Sequence, residues 1–237
     1  MTPDEISRAE RIHPGLWRAS QLSHAYGRCV ATGYAGLSRE LPGGGWPLGN
    51  LIEFLVRQPG SGELQVLRPA LGRLGARSTM LVQPPHPPQT AAWANWGYTP
   101  SSLIWVRARR STDALWTAEQ VLRAGTVGAL IVWQDRVRSQ ALRRLQLAAQ
   151  TSDTLFVLMR PAAAAEQFSP APLRLALEPT AQGLNISIIK RRGATHEGPL
   201  LLPFYRDIRF SEFDHEIVGS RALVARKPGY AQSELAH

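Results

Sequence analysis

The sequence predicts an α/β protein in which a mostly parallel central sheet carries helices on both faces and has an antiparallel C-terminal edge. Short apolar runs alternate with amphipathic segments between about residues 50 and 160, the pattern expected when helical crossovers join parallel strands. The run Gly128 to Trp133 is apolar throughout, as expected for a strand covered on both faces. Two later apolar runs, residues 173–178 and 184–190, are separated by a short turn, so we expect them to pair antiparallel.

Composition places this sheet in a single globular domain. The chain has 237 residues, of which 44% are hydrophobic and 8% aromatic, more than a disordered chain would carry. We expect an N-terminal arm at residues 1–30, a domain at 31–204 and a flexible C-terminal tail at 205–237. Neither a secretory signal nor an apolar run long enough for a membrane span is visible, and the single Cys29 fits a reducing compartment, so we expect a cytoplasmic protein.

The predicted elements follow in order. A short helix up to Leu41 and the glycine run 43–45 lead tightly into the first strand of the sheet. The expected strands of the parallel part are residues 51–56, 79–82, 103–106, 128–133 and 155–159, with helices at 62–76, 89–96, 112–125 and from 139 onward. Pro69 removes a hydrogen bond inside the first long helix, so we expect a kink or two short helices there.

Helix ends are predicted from capping residues. Ser111 or Thr112 is expected to cap the helix that ends at Gly125, because a hydroxyl oxygen can accept a bond from a free backbone N–H of the first turn. Ser139 is expected to cap the following helix for the same reason. Beyond about residue 193 we find no strong period except an apolar patch at residues 200–204.

The first strand, its loop and its helix have the layout of a phosphate-binding loop without the chemistry of one. In the pattern G-x-x-x-x-G-K-[ST] the lysine contacts phosphate and the hydroxyl residue holds magnesium. Counted back from the second glycine, Gly62, the first glycine is replaced by Arg57, the lysine by Glu63 and the hydroxyl residue by Leu64. A carboxylate about 4 Å from a phosphate is repelled by roughly 4 kcal/mol at an effective dielectric near 20. We therefore expect no nucleotide and no metal cofactor at the degenerate loop, which consists of Arg57, Gly60, Ser61, Gly62, Glu63 and Leu64.

Basic residues are in excess, with 27 Lys and Arg against 18 Asp and Glu and a net charge of +9. The carboxyl ends of parallel strands meet at one edge of a sheet, so arginines that follow the strands should cluster there. These arginines are Arg57, Arg107, Arg109, Arg110, Arg136, Arg138 and Arg160. Such a cluster could neutralise phosphates of a nucleic acid or carboxylates of a protein, or it could be an ordinary basic rim that pairs with Asp135 and its neighbours.

Further candidate contacts to DNA or a protein partner lie later in the chain. They are the basic run Lys190, Arg191 and Arg192 and two aromatic residues of the tail, Phe210 and Phe213. Catalytic sites find little support. The six histidines show no metal-binding spacing, and Ser61 between two glycines lacks the rest of a nucleophile elbow, so we expect no catalytic residue and no metal site.

Residues 31–66 and 79–160 resemble the core of the RecA recombinase family. The most specific pieces are Thr32-Gly33, the loop before Gly62 and the stretch from Ser139 to Met159. Within that superfamily the chain more closely resembles the ImuA family of inducible-mutagenesis proteins, which is related to the cell-division inhibitor SulA. The residues that carry this closer resemblance are 16–18, 41–47, 62–64, 113–116 and 189–193.

The resemblance implies a RecA-like core without its active site. The strand-end acid of the recombinases falls at Trp133, with Asp135 two residues later, the water-activating glutamate at about Pro85, beside His86, and the γ-phosphate sensor at about Pro161. The resemblance also implies a non-enzymatic accessory protein of SOS-induced translesion DNA synthesis. Its implied partners are an ImuB-like polymerase protein, an error-prone replicative-type polymerase and, as a further candidate, RecA. The alternatives are a SulA-like inhibitor of the division tubulin, an ATP-dependent recombinase, and a module that contacts single-stranded DNA directly.

Overall fold

The computed structural model describes residues 28–193 and 198–203. The expected tail at 205–237, with Phe210 and Phe213, lies outside these ranges, as does the expected arm up to residue 27. The strands are β1 (Cys29–Ala31), β2 (Gly45–Pro47), β3 (Asn50–Val56), β4 (Thr79–Val82), β5 (Leu103–Val106), β6 (Ala129–Trp133), β7 (Leu155–Pro161), β8 (Leu173–Thr180), β9 (Gly183–Lys190) and β10 (Leu200–Pro203). The helices are α1 (Ala35–Glu40), α2 (Glu63–Arg73), α3 (Thr90–Ala94), α4 (Ser111–Ala124) and α5 (Ser139–Ala149).

The main sheet has eight strands in the order β10-β9-β8-β3-β7-β6-β4-β5. The pairs from β8 through β3, β7, β6 and β4 to β5 are parallel, whereas β9 pairs antiparallel with both β8 and β10. This confirms a mixed α/β fold with a mostly parallel sheet and an antiparallel C-terminal edge. The apolar patch at residues 200–204 contributes the outermost strand, β10, which the weak sequence pattern there did not predict.

Side-chain alternation along the strands builds one apolar layer on each face of the sheet. On β3, Ile52 and Phe54 point to the layer that contains α1, α2 and α3, while Leu51 points to the layer that contains α4 and α5. Leu142 and Leu145 of α5 are buried in the second layer, as the helical period predicts. Helices therefore cover both faces, which explains why the central strands are mostly apolar.

Helix α2 is one continuous helix from Glu63 to Arg73 rather than two short ones, although Pro69 lies inside it. Proline has no N–H, so the carbonyl of Gln65, one turn earlier, loses its helical donor. The hydroxyl of Tyr34 donates to that carbonyl instead, at 2.8 Å. The proline ring lies against Gly33, where an added Cβ would stand 2.2 Å from the Pro69 Cβ, so only glycine fits at position 33.

The predicted capping residues are shifted by one position. Helices α4 and α5 begin at Ser111 and Ser139 themselves, and the cap positions belong to Arg110 and Arg138, which make no side-chain capping bond. The prediction of serine or threonine caps was therefore wrong. The two arginines have extended backbones, and their carbonyls accept the first helical bonds, which is all that a helix start requires. The predicted end of α4 at Gly125 is confirmed, with φ of 61°.

Candidate functional site

The degenerate loop between β3 and α2 is occupied by its own carboxylate. Glu63, the first residue of α2, is 2% exposed, and its Oε1 accepts a hydrogen bond from the backbone N–H of Gly60 at 2.7 Å. Gly60 and Gly62 have φ of 84° and 102°, which is the left-handed backbone that brings this N–H inward. Backbone donors of such a loop are the groups that bind phosphate oxygens. Here a side chain of the same chain takes one of them.

Two further residues of the loop, Leu64 and Ser61, have structural roles. Leu64 is half-buried and packs against the apolar layer that contains Leu67, so the position that would hold a magnesium ligand belongs to the core. The Ser61 hydroxyl donates to the carbonyl of Gln58 at 2.5 Å, within the loop. Within the described residues Glu63 Oε2 is buried and has no hydrogen-bond partner. A phosphate brought to this loop would therefore approach a buried carboxylate whose Oε2 accepts no hydrogen bond.

A cavity of about 560 Å³ opens next to this loop, at the carboxyl ends of β3, β4, β6 and β7. This edge is where open α/β sheets usually place their ligands. The cavity brings together positions that the sequence comparison with recombinases singled out, and its lining includes Arg57, Pro85, Trp133, Asp135 and Pro161. The topological part of the sequence prediction is thus accurate. The side chains gathered there include no lysine and a single carboxylate, that of Asp135.

Gln83 is a cavity residue that the sequence prediction missed. It follows β4 directly and has φ of 54°, the only positive φ of a non-glycine residue in the described ranges. Its N–H donates to the carbonyl of Val106 at 2.9 Å, and its Nε2 donates to the carbonyl of Ala108 at 2.6 Å. These bonds offset the strain of the left-handed backbone, which is of order 1–3 kcal/mol. No sequence pattern marks such a position, because the strain depends on contacts between β4 and the segment after β5.

Six of the seven arginines that were expected to cluster are exposed at this edge of the sheet. They are Arg57, Arg107, Arg109, Arg110, Arg136 and Arg138. Among residues 28–193 and 198–203, none of them forms an ion pair or a side-chain hydrogen bond, and neither does Asp135. The alternative of a rim paired with Asp135 therefore does not match the structure. We call these six arginines the basic edge.

Arg160 is the seventh, and its predicted place at the edge was wrong. It lies inside β7, which extends to Pro161, and its side chain is 1% exposed. Its Nη1 donates to Oε1 of Glu53 at 3.2 Å, and Arg174 donates from Nε to the other oxygen, Oε2, at 2.6 Å. Glu53 has no exposed surface. The side chain of Arg160 therefore serves a buried ion cluster, although it also lines part of the cavity.

Residues of the turn after β7 accept further hydrogen bonds from this ion cluster. Arg174 donates to the carbonyls of Ala164 and Ala165 at 2.7 and 3.1 Å, and Arg160 donates to Oε1 of Gln167 at 2.6 Å. These acceptors satisfy guanidinium donors that a single carboxylate cannot reach, as buried charges require. No local sequence pattern indicates this cluster, since its members are far apart in the chain and each follows or interrupts an apolar run.

The basic run at the end of β9 lies at the opposite edge of the sheet from the basic edge. Lys190 Nζ donates to the carbonyl of Ser169 at 2.8 Å, and burial, with a smaller contribution from Arg174, lowers the pKa of Lys190. Arg191 is paired with Glu40, while Arg192 is exposed. Because β9 runs antiparallel to β8, its end returns to the amino ends of the parallel strands. The structure thus divides the predicted contact residues into two separate sets.

Neither a metal-binding cluster nor a membrane-spanning helix is found in the described ranges. No group of three or more His, Cys, Asp or Glu side chains in these ranges is arranged to hold a metal ion. None of the helices described there combines the length and apolar character that a bilayer crossing needs.

Comparison with known proteins gives a partial structural similarity. No protein-family model matches the sequence, and no curated protein matches it. Among solved structures, the chain is similar to the crystal structure of SulA from Pseudomonas aeruginosa, with a TM-score of 0.39 and 23% sequence identity. That similarity covers 46% of this chain and 97% of the SulA chain.

Proposed function

We propose that this protein is a non-catalytic accessory factor of SOS-induced translesion DNA synthesis that acts in the cytoplasm by docking onto other proteins. The proposal includes a RecA-like identity for the core and a relationship to the ImuA family, both of which are supported by the sequence resemblance. The observation that carries it is the hydrogen bond from Gly60 N–H to Glu63, because it places an acidic side chain where a nucleotide-binding loop needs free donors.

The absence of ATP chemistry is supported by three more positions. A metal ligand is replaced by Leu64, which is part of the apolar core, and the strand-end acid is replaced by Trp133, which is 8% exposed. The position of the water-activating glutamate is Pro85, whose side chain has no titratable group. General acid-base chemistry on a phosphate needs a positioned titratable group beside a bound substrate. Among the described residues that line the cavity, Asp135 is the one carboxylate, and there is no lysine that could bind a phosphate.

Docking is supported by the exposure of the basic edge and by its lack of ion pairs among the described residues. Its arginines are exposed and have no ion-pair partner in the described part of the chain, so their planar guanidinium groups are available to carboxylates or phosphates of another molecule. The proposed partners are an ImuB-like polymerase protein, an error-prone replicative-type polymerase and RecA. The parallel sheet would serve as a rigid scaffold that presents the edge.

A pull-down tests this function. Full-length protein is immobilised and exposed separately to RecA, the ImuB-like protein and the error-prone polymerase. The same is done with Arg107→Glu/Arg109→Glu and with Arg39→Glu, which changes an exposed arginine of α1, as a control. We expect at least one partner to be retained by the wild type and the control and lost from the double variant. Retention of none of the three, or inhibition of division-tubulin polymerisation in a sedimentation assay, would overturn the proposal.

A further inference from the structure

A groove separates the beginnings of α4 and α5 on the solvent side of the second apolar layer. Its volume is about 360 Å³, and its floor is apolar, formed by Leu115, Ala141 and Leu145. Trp116 lies at its rim with 61% of its surface exposed, one of the two most exposed aromatic side chains among the described residues, with Phe168. An exposed tryptophan beside an apolar floor is typical of a surface that receives a large apolar side chain.

The groove carries an excess of positive charge. Arg136, Arg138 and Arg144 line it, and its one carboxylate is that of Glu119. Glu119 is already neutralised, since Arg144 and Arg123 both donate to it, and the hydrogen bond from Arg144 is the main reason why its pKa is lowered. Arg136 and Arg138 have no partner within the described ranges. A complementary ligand must therefore supply negative charge at the mouth of the groove.

This groove adjoins the cavity at the carboxyl edge of the sheet. Ser111 and Arg136 line both, so the two spaces meet at the start of α4. We call the two adjoining spaces together the edge track, which extends from the degenerate loop past Arg136 to Trp116. Two adjoining spaces of about 560 and 360 Å³ fit an extended chain better than a compact small molecule.

We infer that the edge track binds an extended acidic protein segment that carries one large apolar side chain. The apolar side chain would occupy the groove beside Trp116, and flanking carboxylates would pair with Arg136 and Arg138. A peptide is favoured over single-stranded nucleic acid because the floor between the helices is aliphatic, whereas nucleic acid needs successive aromatic platforms for its bases. This inference rests on the proposed docking function in general, but not on the identity of the partner.

Fluorescence anisotropy with full-length protein tests the inference. The probe is a short fluorescein-labelled synthetic peptide of alternating aspartate and glutamate with a central phenylalanine, compared with the same peptide carrying serine instead. We expect saturable binding at low salt that weakens as salt is raised, and a loss of about tenfold in affinity, equivalent to about 1.4 kcal/mol, for Arg136→Glu/Arg138→Glu. Trp116→Ala should weaken the phenylalanine peptide by about fivefold and leave the serine peptide unchanged.

Matched controls separate the track from general charge and exposure. Arg39→Glu and Phe168→Ala change an exposed arginine and an exposed aromatic residue elsewhere, and both should bind the peptide like the wild type. Circular dichroism confirms that each variant is folded. The inference is wrong if no saturable binding occurs, if the controls weaken binding equally, or if an oligothymidylate binds in an Arg136-dependent manner and the peptide fails to displace it. Peptide binding without retention of any partner in the pull-down would contradict the proposed function alone, and the reverse result would contradict this inference alone.

Discussion

Charge buried inside the sheet is the most consequential feature at the scale of single residues. Glu53 is completely buried between Arg160 and Arg174, so the cluster holds two cations and one anion. Desolvation makes such a cluster expensive, and it is tolerated because two backbone carbonyls and one amide oxygen accept further guanidinium hydrogen bonds. Among the described residues, the Nε of Arg160 is the guanidinium nitrogen of the cluster that is buried without a partner. Among the described residues, the Glu53 carboxylate is the negative charge that offsets the positive charges of Arg160 and Arg174.

Replacing Glu53 by glutamine tests its role. The amide has nearly the same shape but leaves two buried guanidinium groups without a counter-charge, so we expect a loss of about 3–5 kcal/mol in the free energy of unfolding, measured by urea denaturation. Glu178→Gln, an exposed position on β8, serves as the control and should change the free energy by less than about 0.5 kcal/mol. Equal stabilities for Glu53→Gln and the wild type would show that the cluster does not need its carboxylate.

Glu119 gives a pH-dependent prediction. Hydrogen bonds from Arg144 and then from Arg123 lower its pKa from the ordinary value of 4.5, so its stabilising contribution is present above pH 4.5 and is lost as pH falls through the folded-state pKa. Both arginines are more than half exposed, which screens the pairs. We expect Glu119→Gln to cost about 1 kcal/mol at pH 7, and this difference from the wild type should shrink in denaturation curves recorded progressively below pH 4.5. A difference that stays constant over this range would contradict the ion pairing.

At the scale of elements, helix α2 shows how a local defect is repaired by tertiary structure. The missing N–H of Pro69 leaves the Gln65 carbonyl without its helical donor, and the Tyr34 hydroxyl takes that place. Burial raises the pKa of Tyr34, so the hydroxyl keeps its proton and remains a donor. The sequence predicted a kink or two short helices here, and the second alternative is wrong because the sequence cannot show a donor that lies 31 residues away.

A double-mutant cycle tests this repair. Tyr34→Phe should cost about 1 kcal/mol in the native background, because the Gln65 carbonyl loses its partner. In a Pro69→Ala background the new backbone N–H can donate to that carbonyl, so the same change should cost less than about 0.5 kcal/mol. Denaturation free energies of the four proteins give the coupling. Equal costs of Tyr34→Phe in both backgrounds would mean that the hydroxyl and the proline act independently.

The elements also show where prediction from the sequence succeeds. Strands β3, β4, β5, β6 and β7 were placed within one or two residues, because each is a short, mostly apolar run that is bounded by polar or turn residues. Helix starts at Arg110 and Arg138 were missed by one position, since a backbone carbonyl can begin a helix without a capping side chain. β10 was missed because its short sequence has no alternation and depends on pairing with β9.

At the scale of the whole molecule, the sheet topology decides which predicted site residues meet. The rule that parallel strands end at one edge puts Arg57, Arg107 and Arg136 at the same edge of the sheet, where all three are exposed. Arg57 and Arg136 line one cavity there, whereas Arg107 follows β5, which three strands separate from β3. The rule failed for Arg160, because it needs the true end of β7, which lies one residue later at Pro161. The groove beside Trp116 was not predicted, since it depends on how α4 and α5 pack and not on any local pattern.

In the loop between β3 and α2, the Glu63 carboxylate accepts the backbone N–H that a nucleotide phosphate would need, so we expect no nucleotide to bind there. Isothermal titration of the full-length protein with magnesium-ATP, repeated as a thermal melt at millimolar nucleotide, tests it most directly. We expect no saturable heat and no shift in melting temperature, because Glu63 occupies the Gly60 donor and no lysine replaces it. Saturable, magnesium-dependent binding, which at a concentration of 100 times Kd would stabilise the fold by about 2.7 kcal/mol, would contradict the claim.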